Sequence, residues 1–266
     1  MIGHCAAMLI AQISDMHINA PGTPSMSGID AIGNLERCVA AISALDPAPD
    51  LILATGDLTK DGTAGEYAAL LELLAPLAPP LYAIPGNHDL REAMAEAFTD
   101  AAYLPRDGGF LHYVIDGHPL RLIALDTVVA MAPHGMLDAG RLDWLAARLG
   151  EAPEQPTVLV MHHPPFRSGY AAMDAMRCMD GDALGALVAE HRQIERILCG
   201  HLHRAAHIRF AGTTATTAPS TAAQLRLDLS GTAVLGERAI WSNDPPAYML
   251  HLWQPGEGLV SHVMQV

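Results

Sequence analysis

The sequence predicts an α/β fold in which two sheets are flanked by helices. Through residue 200, strand-sized apolar runs alternate with segments of helical periodicity, a pattern typical of α/β proteins. Beyond residue 204, stretches rich in Thr, Ala and Val indicate antiparallel strands. Since there is no internal repeat or long linker, we expect one domain over residues 1–266. Residues 1–7 would be an extension, and about 205–266 would be C-terminal strands, candidates for a pocket rim and oligomer contacts.

The first half of the chain predicts three successive strand–helix units. The first helix carries apolar residues at helical spacing, among them Ile32, Leu35 and Val39. The second helix opens with Thr63 followed three residues later by Glu66, the sequence of a capping box. In chain order, the predicted ranges are strand 9–14, helix 29–45, strand 51–55, a helix between Thr63 and the Pro79–Pro80 pair, strand 81–84 and a short helix near 91–98.

The second half predicts a hairpin, another helix and a series of strands. Asp116 and Gly117 form a hairpin signal between two apolar runs. Asp138 can cap a helix on which Leu142 and Leu145 belong to an apolar stripe. The predicted strands are 111–115, 120–126, 158–161 and 194–199, and, with weaker boundaries, 206–210, 213–217, 224–229, 248–253 and 260–263.

Composition excludes several classes of protein. The 15 Lys+Arg against 29 Asp+Glu give a net charge of −14, which argues against a nucleic-acid polymer held on a broad basic surface. No apolar run approaches the roughly 20 residues that span a bilayer, and the first residues do not form a signal peptide. The four cysteines are far apart, which indicates reduced thiols rather than a disulfide framework. We therefore expect a soluble cytoplasmic protein without a membrane partner.

Polar clusters follow directly on five predicted buried strands. Ligands in open α/β sheets bind outside the carboxyl ends of the strands, so these clusters should meet at one edge. Each cluster alone is a weak signal, since a single histidine after a strand is more often structural. All five in order, each at a strand end, favour a functional site. The clusters are Asp15-x-His17, Gly56-Asp57, Gly86-Asn87-His88-Asp89, His162-His163-Pro164-Pro165 and Gly200-His201-x-His203.

The local backbone of these clusters can also be anticipated. The glycines before Asp57, Asn87 and His201 permit tight turns that aim the next side chain inward. In the two pairs separated by one residue, an extended backbone would place both side chains on one face, although a loop can depart from that geometry.

The wording of the five motifs resembles the calcineurin-like metallophosphoesterase superfamily, and within it the class III cyclic nucleotide phosphodiesterases and the related glycerophosphodiesterases. The resemblance covers about residues 8 to 210, and the segment 173–176 belongs to it. It implies the metallo-dependent phosphatase fold, a four-layer α/β-β/α sandwich of two mixed sheets flanked by helices. The motifs that carry it are ISDMH at 13–17, ATGDL at 54–58, IPGNHD at 84–89, MHHPP at 161–165 and CGHLH at 199–203.

The resemblance implies a centre of two divalent or mixed-valence metal ions. Asp57 would bridge the ions, and His162 is preferred to its neighbour His163 because it comes first after the strand and matches the family's ligand position. Oxygen and imidazole donors without thiolate suit Mn, Fe, Co or Zn. Such ions would sit about 3.5–4 Å apart and supply hydroxide near neutral pH. The implied ligands are Asp15, His17, Asp57 and His203 for the first ion, and Asp57, Asn87, His162 and His201 for the second.

The same resemblance gives His88 a catalytic role, in which it stabilises the transition state or protonates the leaving alkoxide; the alternative is a structural histidine. Asp89 would either orient the His88 ring or cap the following helix.

The expected activity is hydrolysis of a small phosphodiester by in-line attack of the metal-bridging hydroxide. The residue sequences of the motifs favour a 3′,5′-cyclic nucleotide as the substrate, and a glycerophosphodiester is the alternative substrate. Further alternatives are a phosphomonoesterase, including a protein phosphatase, and a scaffold without catalysis; a nuclease is disfavoured because the chain lacks a basic track. The remaining expected partner is a second copy of the chain, in a dimer or larger oligomer, for which segment 213–223 is a candidate contact.

Overall fold

The computed structural model describes residues 7–20, 22–23, 28–232 and 240–266. Cys5 and most of the predicted N-terminal extension lie outside these ranges. The elements in chain order are β1 (Met8–Ile13), α1 (Ala31–Ser43), β2 (Leu51–Thr55), α2 (Ala64–Leu74), β3 (Leu81–Ile84), α3 (Arg91–Ala97), β4 (Tyr113–Ile115), β5 (Arg121–Leu125), α4 (Ala139–Gly150), β6 (Thr157–Met161), α5 (Ala171–Asp174), α6 (Gly181–Ala189), β7 (Ile194–Cys199), β8 (Ala206–Phe210), β9 (Thr213–Thr217), β10 (Ala247–Gln254) and β11 (Gly258–Gln265).

The strands form two mixed sheets, which confirms the predicted fold class. Sheet one has the order β11-β10-β1-β2-β3, and sheet two has the order β4-β5-β6-β7-β9-β8. In sheet one β1, β2 and β3 are parallel, and β10 and β11 are antiparallel to their neighbours. In sheet two β5, β6, β7 and β9 are parallel, with antiparallel β4 and β8 at the edges. The carboxyl ends of the parallel strands therefore lie at one edge of each sheet.

Helices α1 to α4 lie where the sequence predicts them, whereas α5 and α6 were not predicted. The helices cover the sheets with apolar faces. Thr63 and Glu66 form the expected capping box of α2, and Asp138 accepts a hydrogen bond from the Arg141 amide at the start of α4. Strands β2 and β6 are buried at all five positions, as expected for strands covered on both faces. One core cluster includes Leu35 of α1 and Tyr67 of α2, and a second includes side chains of α4, α6 and sheet two.

A buried chain of hydrogen bonds connects the two sheets below their carboxyl edge. Gln12 Nε2 donates to the Thr55 hydroxyl at 2.9 Å and to the Cys199 carbonyl at 3.1 Å. Gln12 Oε1 can then only accept, so His251 Nε2 donates to it at 2.9 Å. His251 Nδ1 in turn accepts from the Ser261 hydroxyl at 2.7 Å. This polar chain fixes β1, β2, β10 and β11 of sheet one against β7 of sheet two.

Two expectations for the C-terminal part are wrong. Segment 224–229 is not a strand: only Leu225 pairs, in an isolated bridge with Trp241. The reason is that Leu227 and Leu229, which share a face with Leu225 in an extended chain, are exposed and have no apolar surface to cover. Segment 213–223 is not an oligomer contact either, because β9 lies between β7 and β8 and residues 215–223 are buried in the chain itself.

The described ranges also show the state of three cysteines and the length and polarity of the helices. Cys38, Cys178 and Cys199 are buried free thiols. Within the residues described, every helix is too short or too polar to cross a bilayer.

Candidate metal centre

The five polar clusters meet at the carboxyl edge of the two sheets, and their backbone is unusual. Seven non-glycine residues of the described chain have a positive φ, and five of them are predicted ligands: Asp15, His17, Asp57, His201 and His203. The expectation that an extended backbone orients the paired ligands is therefore wrong. Left-handed φ values in non-glycine residues cost roughly 1–3 kcal/mol each and concentrate at functional sites.

Close backbone approach at this edge requires glycine at two positions. A Cβ atom on Gly86 would collide with the backbone nitrogen and the carboxylate of Asp57. A Cβ atom on Gly200 would collide with the Ser14 hydroxyl and come within 2.6 Å of the Thr55 carbonyl. These two glycines let the loops after β3 and β7 pack against the loops after β1 and β2.

The first group of potential ligands is formed by four buried side chains. One ligand atom from each of Asp15, His17, Asp57 and His203 lies within 4.8 Å of the others. His17 Nε2 is 3.6 Å from Asp57 Oδ2 and 3.1 Å from His203 Nε2, and His203 Nε2 is 3.6 Å from Asp15 Oδ1. Two carboxylates and two imidazoles converge on one point, as the predicted first ion requires.

The second group adjoins the first through Asp57. His162 Nε2 is 3.4 Å from Asp57 Oδ2, and ligand atoms of His162, His163 and His201 lie within 4.8 Å of one another. The Nε2 atoms of all three histidines are buried without a hydrogen-bond partner among the described residues. The same holds for Asn87 Oδ1, whose neighbour His88 donates its amide to Asp57 Oδ1. Buried polar atoms are rarely left unpaired, so this group fits a cation that would satisfy them.

The protonation of the ligand histidines also fits metal binding. His162 Nδ1 lies 2.8 Å from the Thr55 carbonyl, and His203 Nδ1 lies 2.9 Å from the Ala223 carbonyl. Since a carbonyl can only accept, each Nδ1 carries a proton, and each Nε2 faces the carboxylates of the cluster. Metal-ligating histidines are normally oriented in this way.

His163 is the remaining competitor for the role predicted for His162. Its Nδ1 lies 2.8 Å from the Thr127 hydroxyl, and a Cβ atom on Gly135 would come within 2.5 Å of its ring. His163 is thus held at the second group, on the side of the β5 loop. Only His162 of the pair is paired with the Asp57 carboxylate in the described contacts, which supports the preference for His162.

Burial and neighbouring charges shift the pKa values of the side chains in the site. Burial would raise the pKa of Asp57, but the charge of His162 and its hydrogen bond hold that pKa well below its usual range. Although burial acts to lower it, the Asp57 carboxylate raises the pKa of His162 to about 9. Burial lowers the pKa of His17 far below its ordinary value and that of His201 to about 3, so both rings are neutral. Burial raises the pKa of Asp15. Two nearby cations would oppose that shift and favour the carboxylate.

His88 and Asp89 have separate roles in the loop after β3. The His88 amide donates to Asp57 Oδ1 at 2.9 Å, and its Nδ1 donates to the Lys60 carbonyl at 2.7 Å. The His88 ring packs edge-on against His17, with centroids 4.7 Å apart. Nε2 is therefore the nitrogen available to a substrate.

The structure does not support either role expected for Asp89. Its carboxylate accepts hydrogen bonds from the backbone of Leu58, Thr59 and Gly86 and from the Tyr67 hydroxyl, and α3 is capped by Leu90 without a side-chain bond. Asp89 therefore connects the loop after β2, which carries Asp57, to the turn at Gly86 by hydrogen bonds. Burial and the charge of Asp57 raise its pKa to about 6.

Sequence reasoning missed two features of this site. The Lys60 carbonyl, rather than a carboxylate, orients His88, and a backbone acceptor leaves no signal in the sequence. Trp241 lies beside His203, with ring centroids 5.4 Å apart. It follows no buried strand and belongs to no motif, so position in the sequence does not reveal it.

Comparisons with known proteins agree with this geometry. The calcineurin-like phosphoesterase family model matches residues 8–205. A probable glycerophosphodiester phosphodiesterase, GpdQ, of Arcobacter nitrofigilis is 33% identical over 260 residues, covering 97% of this chain and 93% of the relative. The 3′,5′-cyclic adenosine monophosphate phosphodiesterase CpdA of Escherichia coli K12 is 31% identical over 221 residues, 83% of this chain and 78% of the relative.

Among solved structures, a dimetal phosphatase from Danio rerio superimposes with a TM-score of 0.66 at 12% identity, covering 97% of this chain and 98% of that one. At that identity the likeness concerns the fold alone.

Proposed function

The chain belongs to the calcineurin-like phosphoesterase family, and from that premise we propose that it is a binuclear metal-dependent phosphodiesterase acting on a small diester. The observation that carries the proposal is the position of Asp57, whose carboxylate lies 3.6 Å from His17 Nε2 and 3.4 Å from His162 Nε2. Asp15 and His203 would complete the first ion site with Asp57 and His17. Asn87, His162 and His201 would complete the second with Asp57.

Different residues of the chain would have different roles in hydrolysis. Two bound ions supply Lewis acidity and lower the pKa of a coordinated water. The Thr55 and Ala223 carbonyls hold the rings of His162 and His203 in the ligand orientation. His88, whose Nδ1 donates to the Lys60 carbonyl, faces the substrate with Nε2. In its doubly protonated form it would donate a proton to a phosphoryl oxygen or to the leaving alkoxide.

The proposed substrate is a 3′,5′-cyclic nucleotide, with a glycerophosphodiester as the second candidate. The residue sequences of the five motifs and the named activity of the CpdA relative support the cyclic nucleotide. The named activity of the GpdQ relative, which matches a larger share of the chain, supports the second. Mn, Fe, Co and Zn are the proposed metals, because the donors are carboxylate, amide and imidazole.

The proposal is tested by steady-state rates of the metal-reconstituted protein. We expect bis(p-nitrophenyl) phosphate to be hydrolysed faster than p-nitrophenyl phosphate; a strong preference for the monoester would indicate a phosphomonoesterase instead. Rates with 3′,5′-cAMP, 2′,3′-cAMP and glycerophosphoethanolamine then identify the diester class. The highest kcat/KM for 3′,5′-cAMP is expected, and the highest value for glycerophosphoethanolamine would select the second candidate.

Two further parts of the proposal concern the state of the protein in the cell. Self-association as a dimer or larger oligomer is supported by β11, an edge strand of sheet one on which Val260 and Val263 are exposed. Unprotected edge strands readily pair with another chain. A cytoplasmic location is supported by the buried free thiols. Light scattering coupled to gel filtration tests the first, and cell fractionation tests the second.

A further inference from the structure

A small cavity lies beside two proposed ligands of the first ion. Its volume is about 20 Å³, which is enough for one water molecule. His17, His203 and Trp241 line it together with Asn19, and the rest of the wall is apolar, formed by Ile29, Ala31, Ala222 and Ala223.

Two of the residues that line this cavity each have a buried nitrogen without a hydrogen-bond partner among the described residues. His17 Nε2 faces Asp57 Oδ2 and His203 Nε2 in the cluster. When Nε2 binds the ion of the proposed first site, the His17 ring carries its proton on Nδ1. That Nδ1 is buried without a partner among the described residues, and the same is true of Trp241 Nε1. An indole nitrogen can only donate. Both groups are therefore donors.

His17 lacks the carbonyl partner at Nδ1 that two other proposed ligand histidines have. His162 and His203 donate to the carbonyls of Thr55 and Ala223, whereas no described carbonyl serves His17. A buried donor that is left unpaired destabilises the folded state. One water oxygen, with two lone pairs, can accept from both donors.

We propose that a single buried water in this cavity accepts hydrogen bonds from His17 Nδ1 and Trp241 Nε1, which makes Trp241 a positioning residue for a metal ligand. The inference rests on the proposed function, because it takes His17 as a ligand through Nε2. The water replaces the carbonyl that orients the other histidines. It fixes the plane of the His17 ring and increases the electron density on Nε2.

Trp241 is held firmly enough to serve this purpose. Its backbone is held by the isolated bridge to Leu225, by the Arg226 amide donating to the Ile240 carbonyl at 2.7 Å and by the Ser242 amide donating to the Gln224 carbonyl at 2.9 Å. The indole packs on His203. The Nε1 position therefore depends on this bridge and on the two backbone hydrogen bonds that flank it.

The test compares two tryptophan-to-phenylalanine variants by calorimetric titration of the metal-free full-length protein with Mn²⁺. Trp241→Phe keeps an aromatic ring and removes the N–H. Trp253→Phe is the matched control, since Trp253 Nε1 is also buried without a described partner but lies opposite Met8, at the far end of β1. We expect Trp241→Phe to weaken the first ion about tenfold, the range for orienting partners of metal ligands, and Trp253→Phe to stay within twofold of the parent.

Each outcome of the titration bears on a different part of the account. Two ions bound with unchanged affinity by Trp241→Phe would overturn the role of Trp241 and leave the proposed function standing. Fewer than two ions bound by the parent protein would contradict the metal centre itself, and this inference with it. Equal weakening in both variants would show a general packing effect and also overturn the inference.

A high-resolution crystal structure of the metal-loaded parent protein provides a second test that needs no variant. We expect an ordered water within hydrogen-bond distance of His17 Nδ1 and Trp241 Nε1. An indole nitrogen that donates to a protein carbonyl instead would overturn the inference.

Discussion

The two sheets contribute unlike halves of the candidate metal centre. Sheet one supplies both carboxylates, the amide and one imidazole, while sheet two supplies three imidazoles. The negative charge that attracts cations therefore comes from sheet one alone, and sheet two adds imidazole nitrogens. The proposed first site takes three of its four ligands from sheet one, and the proposed second site takes two from each. Neither sheet can form either site by itself, so the centre depends on how the sheets are docked. The proposed ligands from sheet one are Asp15, His17, Asp57 and Asn87, and those from sheet two are His162, His201 and His203.

The largest effect is expected from the residue that both sites share. Asp57→Ala removes the carboxylate that lies beside His17 and beside His162, so both ions should be lost. The rate should fall roughly a thousandfold or more, since the ions supply several kcal/mol of transition-state stabilisation. Elemental analysis of the purified variant and its rate with bis(p-nitrophenyl) phosphate measure the two effects.

The control for this variant is Asp61→Ala, which removes an exposed carboxylate four residues further along the chain and should change neither quantity. Retention of two ions by Asp57→Ala would show that the two halves do not share this ligand.

The next effect separates the two sites. Asn87→Ala removes a sheet-one ligand of the second site only, so we expect the affinity for one ion to fall about 100-fold, together with the rate, while the other ion remains bound. Even partners that merely orient ligands are worth 10–100-fold in affinity. Asn87→Asp keeps an oxygen at this position and should retain both ions. Loss of both ions from Asn87→Ala would mean that the sites are not independent.

A different effect, on the rate but not on the metal content, is expected from the residue proposed for proton transfer. His88→Ala should lower kcat by about 10²–10⁴-fold and leave the metal content nearly unchanged, because the His88 ring donates to the Lys60 carbonyl and is not part of either ligand group. His191→Ala, on a ring bonded to the Leu187 carbonyl, is the control. If His88→Ala lost both ions, the role of His88 would be misassigned.

The smallest effect tests the polar chain that connects the sheets. Burial lowers the pKa of His251 to about 3, against about 6.5 in an unfolded chain. Below pH 6.5 the unfolded state binds a proton that the folded state does not, so stability is present above pH 6.5 and is lost as the pH falls toward 3. Between pH 7 and pH 5 this amounts to about 2 kcal/mol.

The corresponding variant is His251→Gln, studied by urea denaturation at both pH values. Its free energy of unfolding should fall less than that of the parent protein between pH 7 and pH 5. His112, whose pKa burial lowers to about 4, remains in both proteins and cancels in the comparison. An identical loss in parent and variant would show that His251 is not held neutral.

Much of the fold and the cluster of polar residues followed from the sequence, for physical reasons. Strands such as β2 are continuous apolar runs, and the capping box of α2 is a local signal that needs no tertiary information. The strand predicted at 224–229 is absent. Its alternating apolar residues do not form a buried face, because Leu227 and Leu229 are exposed. The sequence also did not predict the left-handed backbone of His201 or the hydrogen bonds by which Asp89 connects two loops. Both arise from contacts between loops that are distant in sequence.

The most direct test of the central claim is anomalous diffraction from crystals of the protein loaded with Mn²⁺. The account predicts two ions at the carboxyl edge, both ligated by Asp57, one completed by Asp15, His17 and His203 and the other by Asn87, His162 and His201. A single ion, or ions held by His162, His163 and His201 without Asp57, would contradict it.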